Sequence, residues 1–130
     1  MIGVPWRHQG RKPWAVDCLG LVELSLRHAR WPGTVAVPAR YGREPWDDQL
    51  RRGLRQHFGE PVEGDWLPGD VPLLRWRQAE PSHVGILADH PLGGVSIIHA
   101  SNRPGVVEVQ LIGCLRECVI EVYRPAWGDA

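Results

Sequence analysis

The chain comprises 130 residues and 14.6 kDa, 43% of them hydrophobic and 23% charged, which fits one domain spanning 1–130 and leaves no room for a second. Fifteen basic residues balance fifteen acidic ones, so the long-range field that pulls proteins onto nucleic acid or anionic lipid is missing, and nucleic acid is not an expected partner. No run approaches the roughly 18 apolar residues of a membrane span, and the opening Met-Ile-Gly-Val-Pro-Trp-Arg-His lacks the apolar stretch of a secretory signal; the expectation is a soluble chain that cannot export itself by the usual route.

Residues 3 to 16 hold two prolines, two glycines and several cationic or imidazole side chains without a period, and read as a loop ending at Asp17. From there Leu21, Val22, Leu24, Leu26 and Ala29 predict a helix to about Arg30, with Asp17 as N-cap and Trp31-Pro32-Gly33 as the stop. Cys18 then lies in its first turn. After an irregular stretch around Pro38 and Tyr41, the residues Trp46, Leu50, Leu54 and Phe58 recur every four positions, with Asp47, Asp48, Arg51, Arg52 and Arg55 on the other face, the pattern of an amphipathic surface helix. Beyond the turn formers of 61–69, five segments have strand character: Val71 to Trp76, His83 to Ala88, Val95 to Ala100, Val106 to Ile112 and Cys118 to Tyr123. Helices first and strands after, joined by connections too short for crossovers, imply an α+β domain with an antiparallel sheet.

A cysteine at a helix start is the local arrangement that favours thiolate, because the first-turn amides and the helix dipole stabilise negative charge. Taken alone, such a cysteine is more often a small buried hydrophobe. The histidines change the balance. If the hairpin within His83 to Ala100 is centred on Pro91, His83 lies opposite His99, Val84 opposite Ile98 and Leu87 opposite Val95; opposed residues share a face with Cβ atoms roughly 4.5 to 5.5 Å apart. One imidazole can then take the thiol proton while the other fixes its tautomer, the logic of nucleophile, base and orienter. Two such histidines can equally bind a metal or simply be satisfied within the sheet. The C-x3-C pair Cys114 and Cys118 has no second pair and no nearby histidine at ligand spacing, so no zinc site, and no cofactor, is expected. Trp6 and Trp14 flank Cys18 and could offer an aromatic platform to sugar rings, and His8 could line the same cleft.

These residues resemble a family. Asp17-Cys18-Leu19-Gly20-Leu21-Val22 resembles the Asp-Cys-x-Gly-Leu signature of NlpC-type cell-wall endopeptidases, which are papain-like cysteine peptidases. Pro68-Gly69-Asp70-Val71 resembles their Pro-Gly-Asp-Leu turn, Ser82-His83-Val84-Gly85-Ile86 their first histidine strand, and Ile98-His99-Ala100 their second. The four blocks occur in the family's order, and the opening Gly3-Val4-Pro5-Trp6-Arg7-His8-Gln9-Gly10 resembles the branch found in phage tails and gene transfer agents. The resemblance implies a papain-like NlpC-type fold, with an N-terminal helix carrying the cysteine packed on an antiparallel sheet carrying two histidines. It makes Cys18 the nucleophile, His83 the general base and His99 the orienting residue, and it places Trp6, Asp17 and Ser82 beside the substrate. Trp6 stands where the family has tyrosine, and Leu19 where serine often follows the cysteine.

The activity so implied is hydrolysis of amide bonds in peptidoglycan stem peptides. Together with the missing signal, it implies carriage to the wall on a virion tail or phage-like particle, in contact with tail hub or tip proteins. Two other readings stay open at this point: a structural tail-tip module with impaired activity, and a thiol amidase or acyltransferase on the same fold.

Overall fold

The computed structural model describes residues 2–5, 11–12, 15–16, 18–33, 49–75, 83–101 and 105–126. It is an α+β domain in which two helices precede two antiparallel sheets and a third, short helix lies before the last strand. The segment expected to be loop contains a short ribbon instead: β1 (Arg11–Lys12) pairs with β2 (Ala15–Val16) in antiparallel register. Two-residue strands leave no period to read, which is why the sequence gives no sign of them.

The first helix, α1, runs Cys18–His28 and buries Leu21, Val22 and Leu26 along one face. Its end is set by backbone geometry. Arg30 adopts φ +61°, Trp31 N–H donates to the Leu26 carbonyl at 2.9 Å, and Arg30 N–H donates to the Arg27 carbonyl at 3.0 Å. This is the paired closure in which a left-handed residue satisfies the last carbonyls of a helix. The expected N-cap, Asp17, lies outside the described residues. Trp31 then packs edge-on against Phe58 at 5.5 Å between ring centroids and donates its indole N–H to the Ala126 carbonyl at 2.9 Å.

The second helix, α2, spans Gln49–Phe58. Leu50 and Leu54 are buried in a cluster with Val22, Leu26, Val71, Leu73, Val84 and Tyr123, so the fourfold repeat is a core stripe. Trp46, Asp47 and Asp48 lie outside the described residues. The cationic face is not wholly given to solvent: Arg51 and Arg55 both pair with Glu121 on the last strand, Arg55 at 3.1 Å.

Where one sheet was expected, the described residues form two three-stranded sheets besides the β1–β2 ribbon. The first has β3 (Val71–Leu74) between β4 (His83–Val84) and β8 (Val119–Tyr123); the second has β6 (Val95–Ala100) between β5 (Ile86–Asp89) and β7 (Val106–Gln110). All pairings are antiparallel. The sheets meet at Gly85, the residue between β4 and β5. Pro72 explains the division. Its carbonyl accepts from Gly85 N–H at 3.4 Å, but proline has no N–H to return, so the β3 ladder is interrupted opposite Gly85. Further along, Leu87 N–H donates to the Asp70 carbonyl and Gly69 N–H to the Leu87 carbonyl, both at 2.8 Å, which stitches the start of β3 to β5. Gly85 itself must be glycine, because a Cβ there would lie 2.8 Å from both Ile97 Cγ1 and the Ile98 carbonyl oxygen.

The expected hairpin register is also corrected. Ile86 opposes Ile98, Leu87 opposes Ile97 and Asp89 opposes Val95, so the hairpin is centred on Leu92 and shifted by two residues from the Pro91 register. The tight turn is closed by His90 N–H to the Gly94 carbonyl at 2.9 Å and Gly93 N–H to the His90 carbonyl at 2.8 Å, and the glycine pair at its end sets the register. A two-residue shift preserves the face each side chain occupies.

The strand expected to reach Ile112 stops at Gln110, and a short helix, α3 (Gly113–Glu117), follows. The strand expected from Cys118 begins at Val119, and Trp76, at the end of the expected first strand, lies outside the described residues. Leu115 of α3 packs under the second core cluster, formed by Leu74, Leu87, Ile97, Leu111 and Val122. Asp70, 1% exposed, anchors the turn before β3: it accepts from Leu67 N–H at 2.8 Å and from the Arg124 guanidinium at 2.8 and 2.9 Å.

Candidate active site

Cys18 is the first residue of α1, half-buried and packed against the cluster that contains Val22, Leu26 and Val84. The helix start matters because its first amides have no partner within the helix and carry the positive end of the dipole. Helix α1 packs against both β4 and β6, the strands that bear His83 and His99. Its contact with β6 is a third cluster, in which Leu21 buries against Ala100 and Val106 with Val4, Leu24, Ile86 and Ile98 around them.

The two histidines are in direct contact. His83 Nε2 lies 2.9 Å from His99 Nδ1, with ring centroids 5.1 Å apart and planes at 86°. They meet without being cross-strand partners. His83 pairs with Leu74 in one sheet, and His99 pairs with Val107 in the other. The β5 register would set His99 against Gly85, two residues from His83 and on the same face. A diagonal pair of this kind is within reach of long side chains, and the break at Gly85 brings the rings to hydrogen-bond distance.

Such a contact needs one N–H and one bare nitrogen, and both rings are held neutral. Burial pushes the His83 imidazole down to about 3, with the neighbouring His99 ring adding to the effect, and burial also lowers His99. Two tautomers satisfy the bond. If His83 carries its proton on Nε2 and donates to His99 Nδ1, then His83 Nδ1 is a bare base, and it can take up a proton without breaking the contact. In the opposite tautomer His83 has no free basic nitrogen.

Of the residues singled out in the sequence, His83 and His99 are brought together and Cys18 lies on the helix that touches both their strands. Trp6, Asp17 and Ser82, with His8 and Trp14, lie outside the described residues. Pro72 and Gly85, which create the break, were not singled out as determinants, although a proline within a strand pattern is a signal of interrupted pairing. Cys114 is exposed on α3 and Cys118 is half-buried at its end. Among the described residues no three His, Cys, Asp or Glu side chains converge on a point that could hold a metal ion, and no helix is long and apolar enough to cross a membrane. No family model matches the chain, and no curated protein matches it.

Proposed function

We propose that the chain is a cysteine peptidase of papain-like NlpC type that hydrolyses amide bonds in peptidoglycan stem peptides, with Cys18 as nucleophile, His83 as general base and His99 as its orienter. The observation that carries this reading is the His83–His99 contact at 2.9 Å, on strands against which the Cys18 helix packs. An unprotonated imidazole nitrogen offers a lone pair to the thiol proton, and a cysteine at a helix start favours thiolate. The four sequence blocks supply the substrate class.

In the proposed reaction the Cys18 thiol proton passes to His83 Nδ1 as the sulfur attacks the amide carbonyl carbon. Negative charge gathers on the carbonyl oxygen, where the Cys18 backbone N–H at the helix start is the simplest donor. The C–N bond breaks, and the departing amine takes the proton from His83. Water, deprotonated by the same nitrogen, then attacks the thioester, the C–S bond breaks, and the acid product and free thiol remain. His99 keeps Nε2 of His83 engaged throughout, so that Nδ1 is always the nitrogen that exchanges protons.

Carriage on a virion tail or phage-like particle completes the proposal. A domain held at high local concentration on the wall needs little affinity of its own. Digestion of purified peptidoglycan tests the activity: wild type should create new peptide ends, expected between D-glutamate and the diamino acid, with glycan strands intact and Cys18→Ala inert. Released disaccharides, or equal cleavage by Cys18→Ala, would overturn it.

A further inference from the structure

The opening segment of the chain is tied to the sheet that carries His99. Gly3 N–H donates to the Val106 carbonyl at 2.7 Å, and Val106 N–H donates to the Val4 carbonyl at 2.8 Å, so two residues of the strap oppose one residue of β7. With Gly3 at φ +89°, this is the arrangement of a glycine-type β-bulge. Val106 is itself the partner of Ala100, the residue after His99. Gly105 is the seat of the strap: its φ is +121°, and a Cβ there would collide with the Val4 carbonyl oxygen. Val4 in turn packs into the cluster where Leu21 and Leu24 of α1 meet Ile98 and Ala100 of β6. Leu21 is one turn beyond Cys18, and Ile98 and Ala100 flank His99.

We propose that the Gly3–Val4 strap, seated on β7 by Val106 and Gly105, is the positioning element that fixes the Cys18 helix against the His99 strand. The inference rests on the proposed roles of Cys18 and His99, and it adds residues to which neither the cysteine nor the histidine blocks refer. The physical reason is that α1 meets the second sheet through small and branched apolar side chains, a contact with little directional preference. Backbone hydrogen bonds are directional. By bonding to β7 on one side and wedging Val4 between α1 and β6 on the other, the strap converts that apolar contact into a fixed spacing. Misplacement of reacting groups by about 1 Å can cost 10²-fold in rate.

The test compares the full-length wild type with Gly105→Ala, which drives the Val4 carbonyl away, and Gly3→Ala, whose Cβ meets nothing within 4 Å and strains only the bulge. Leu115→Ala on α3 serves as a destabilised control remote from the strap. Three readouts are taken: the alkylation rate of Cys18, the ¹⁵N shifts of the His83 and His99 rings, and kcat and KM on a stem peptide. We expect Gly105→Ala to lose at least tenfold in kcat and in Cys18 alkylation with KM changed less than threefold. Gly3→Ala should show a smaller loss of the same kind, and Leu115→Ala should keep both rates near wild type despite a lower melting temperature. If Gly105→Ala does not fold, Gly3→Ala decides. If the wild type cleaves and folded strap variants retain its kcat and alkylation rate, the strap has no positioning role. If the wild type cleaves nothing while strap variants still slow Cys18 alkylation and shift the ring nitrogens, the peptidase reading fails and the strap stands.

Discussion

His83 and His99 touch at 2.9 Å although they belong to different sheets, His83 paired with Leu74 and His99 with Val107. The contact exists because one stretch of chain, 83–89, serves both sheets, turning at Gly85 where Pro72 cannot return a hydrogen bond. The pair thus lies at the seam between the two sheets, on the strands against which α1 packs.

The pair makes stability depend on pH. His83 falls from its ordinary value near 6.5 to about 3 on folding, and His99 is lowered as well. The unfolded chain therefore binds more protons between about 3 and 6.5, and stability present above the unfolded value is lost as pH falls through that window. Each group can contribute a slope of up to about 1.4 kcal/mol per pH unit. Urea denaturation from pH 7 to pH 4 should show falling stability in wild type and a shallower fall in His83→Asn; parallel curves would mean that His83 is not held neutral.

The two imidazoles should not be interchangeable. His99→Gln keeps a group able to accept from His83 Nε2, whereas His83→Asn removes the only nitrogen assigned to proton transfer. Peptide cleavage should be measurable in His99→Gln and fall by roughly 10² to 10⁴ in His83→Asn. Equal losses, or an active His83→Asn, would reverse or remove the assigned roles.

Gly85 is predicted to be intolerant of any side chain. Gly85→Ala places a methyl 2.8 Å from Ile97 Cγ1 and from the Ile98 carbonyl, and overpacking of this kind costs about 1–3 kcal/mol. Denaturant midpoints should show that loss, and the ring ¹⁵N shifts of His83 and His99 should move with it. An unchanged midpoint would mean that the two sheets do not close as tightly as described.

The Asp70 carboxylate is 1% exposed and depends on Arg124 and Leu67 N–H for its bonds. Arg124→Ala should lower stability by leaving a buried acceptor short of a partner, read as a lower denaturant midpoint. Recovery of part of the loss in the double variant Asp70→Ala with Arg124→Ala, measured in a double-mutant cycle, would show that the pair is coupled; strict additivity would show that it is not.

Much of this was legible from periodicity. The fourfold repeat of Leu50, Leu54 and Phe58 gives α2, the apolar run from Leu21 to Leu26 gives α1, and the short connections give antiparallel pairing. The meeting of His83 and His99 was readable because face depends only on parity along a strand, which a two-residue error in register leaves intact. The register itself was not, because Asp89-His90-Pro91-Leu92-Gly93-Gly94 offers more than one tight turn, and the choice falls to hydrogen bonds around His90 and Gly94. The division of the sheet was missed because one absent N–H, at Pro72, acts on a strand distant in sequence. The ribbon at β1 and β2 is a local pairing of two-residue strands, the seat of Val4 beside Gly105 is a long-range backbone contact with no side-chain period, and α3 is too short to show one.

The central claim is that the histidine pair activates Cys18, and the measurement that meets it most directly is the rate of alkylation of each cysteine in the folded protein at pH 7, resolved by peptide mass, in wild type and His83→Asn. Cys18 should react at least tenfold faster than exposed Cys114 and half-buried Cys118, with onset below the roughly 8.5 of an ordinary thiol, and His83→Asn should remove that advantage while leaving the other two rates unchanged. Faster reaction at Cys114 or Cys118, or a Cys18 rate indifferent to His83, would contradict the assignment of Cys18 and His83 as nucleophile and base.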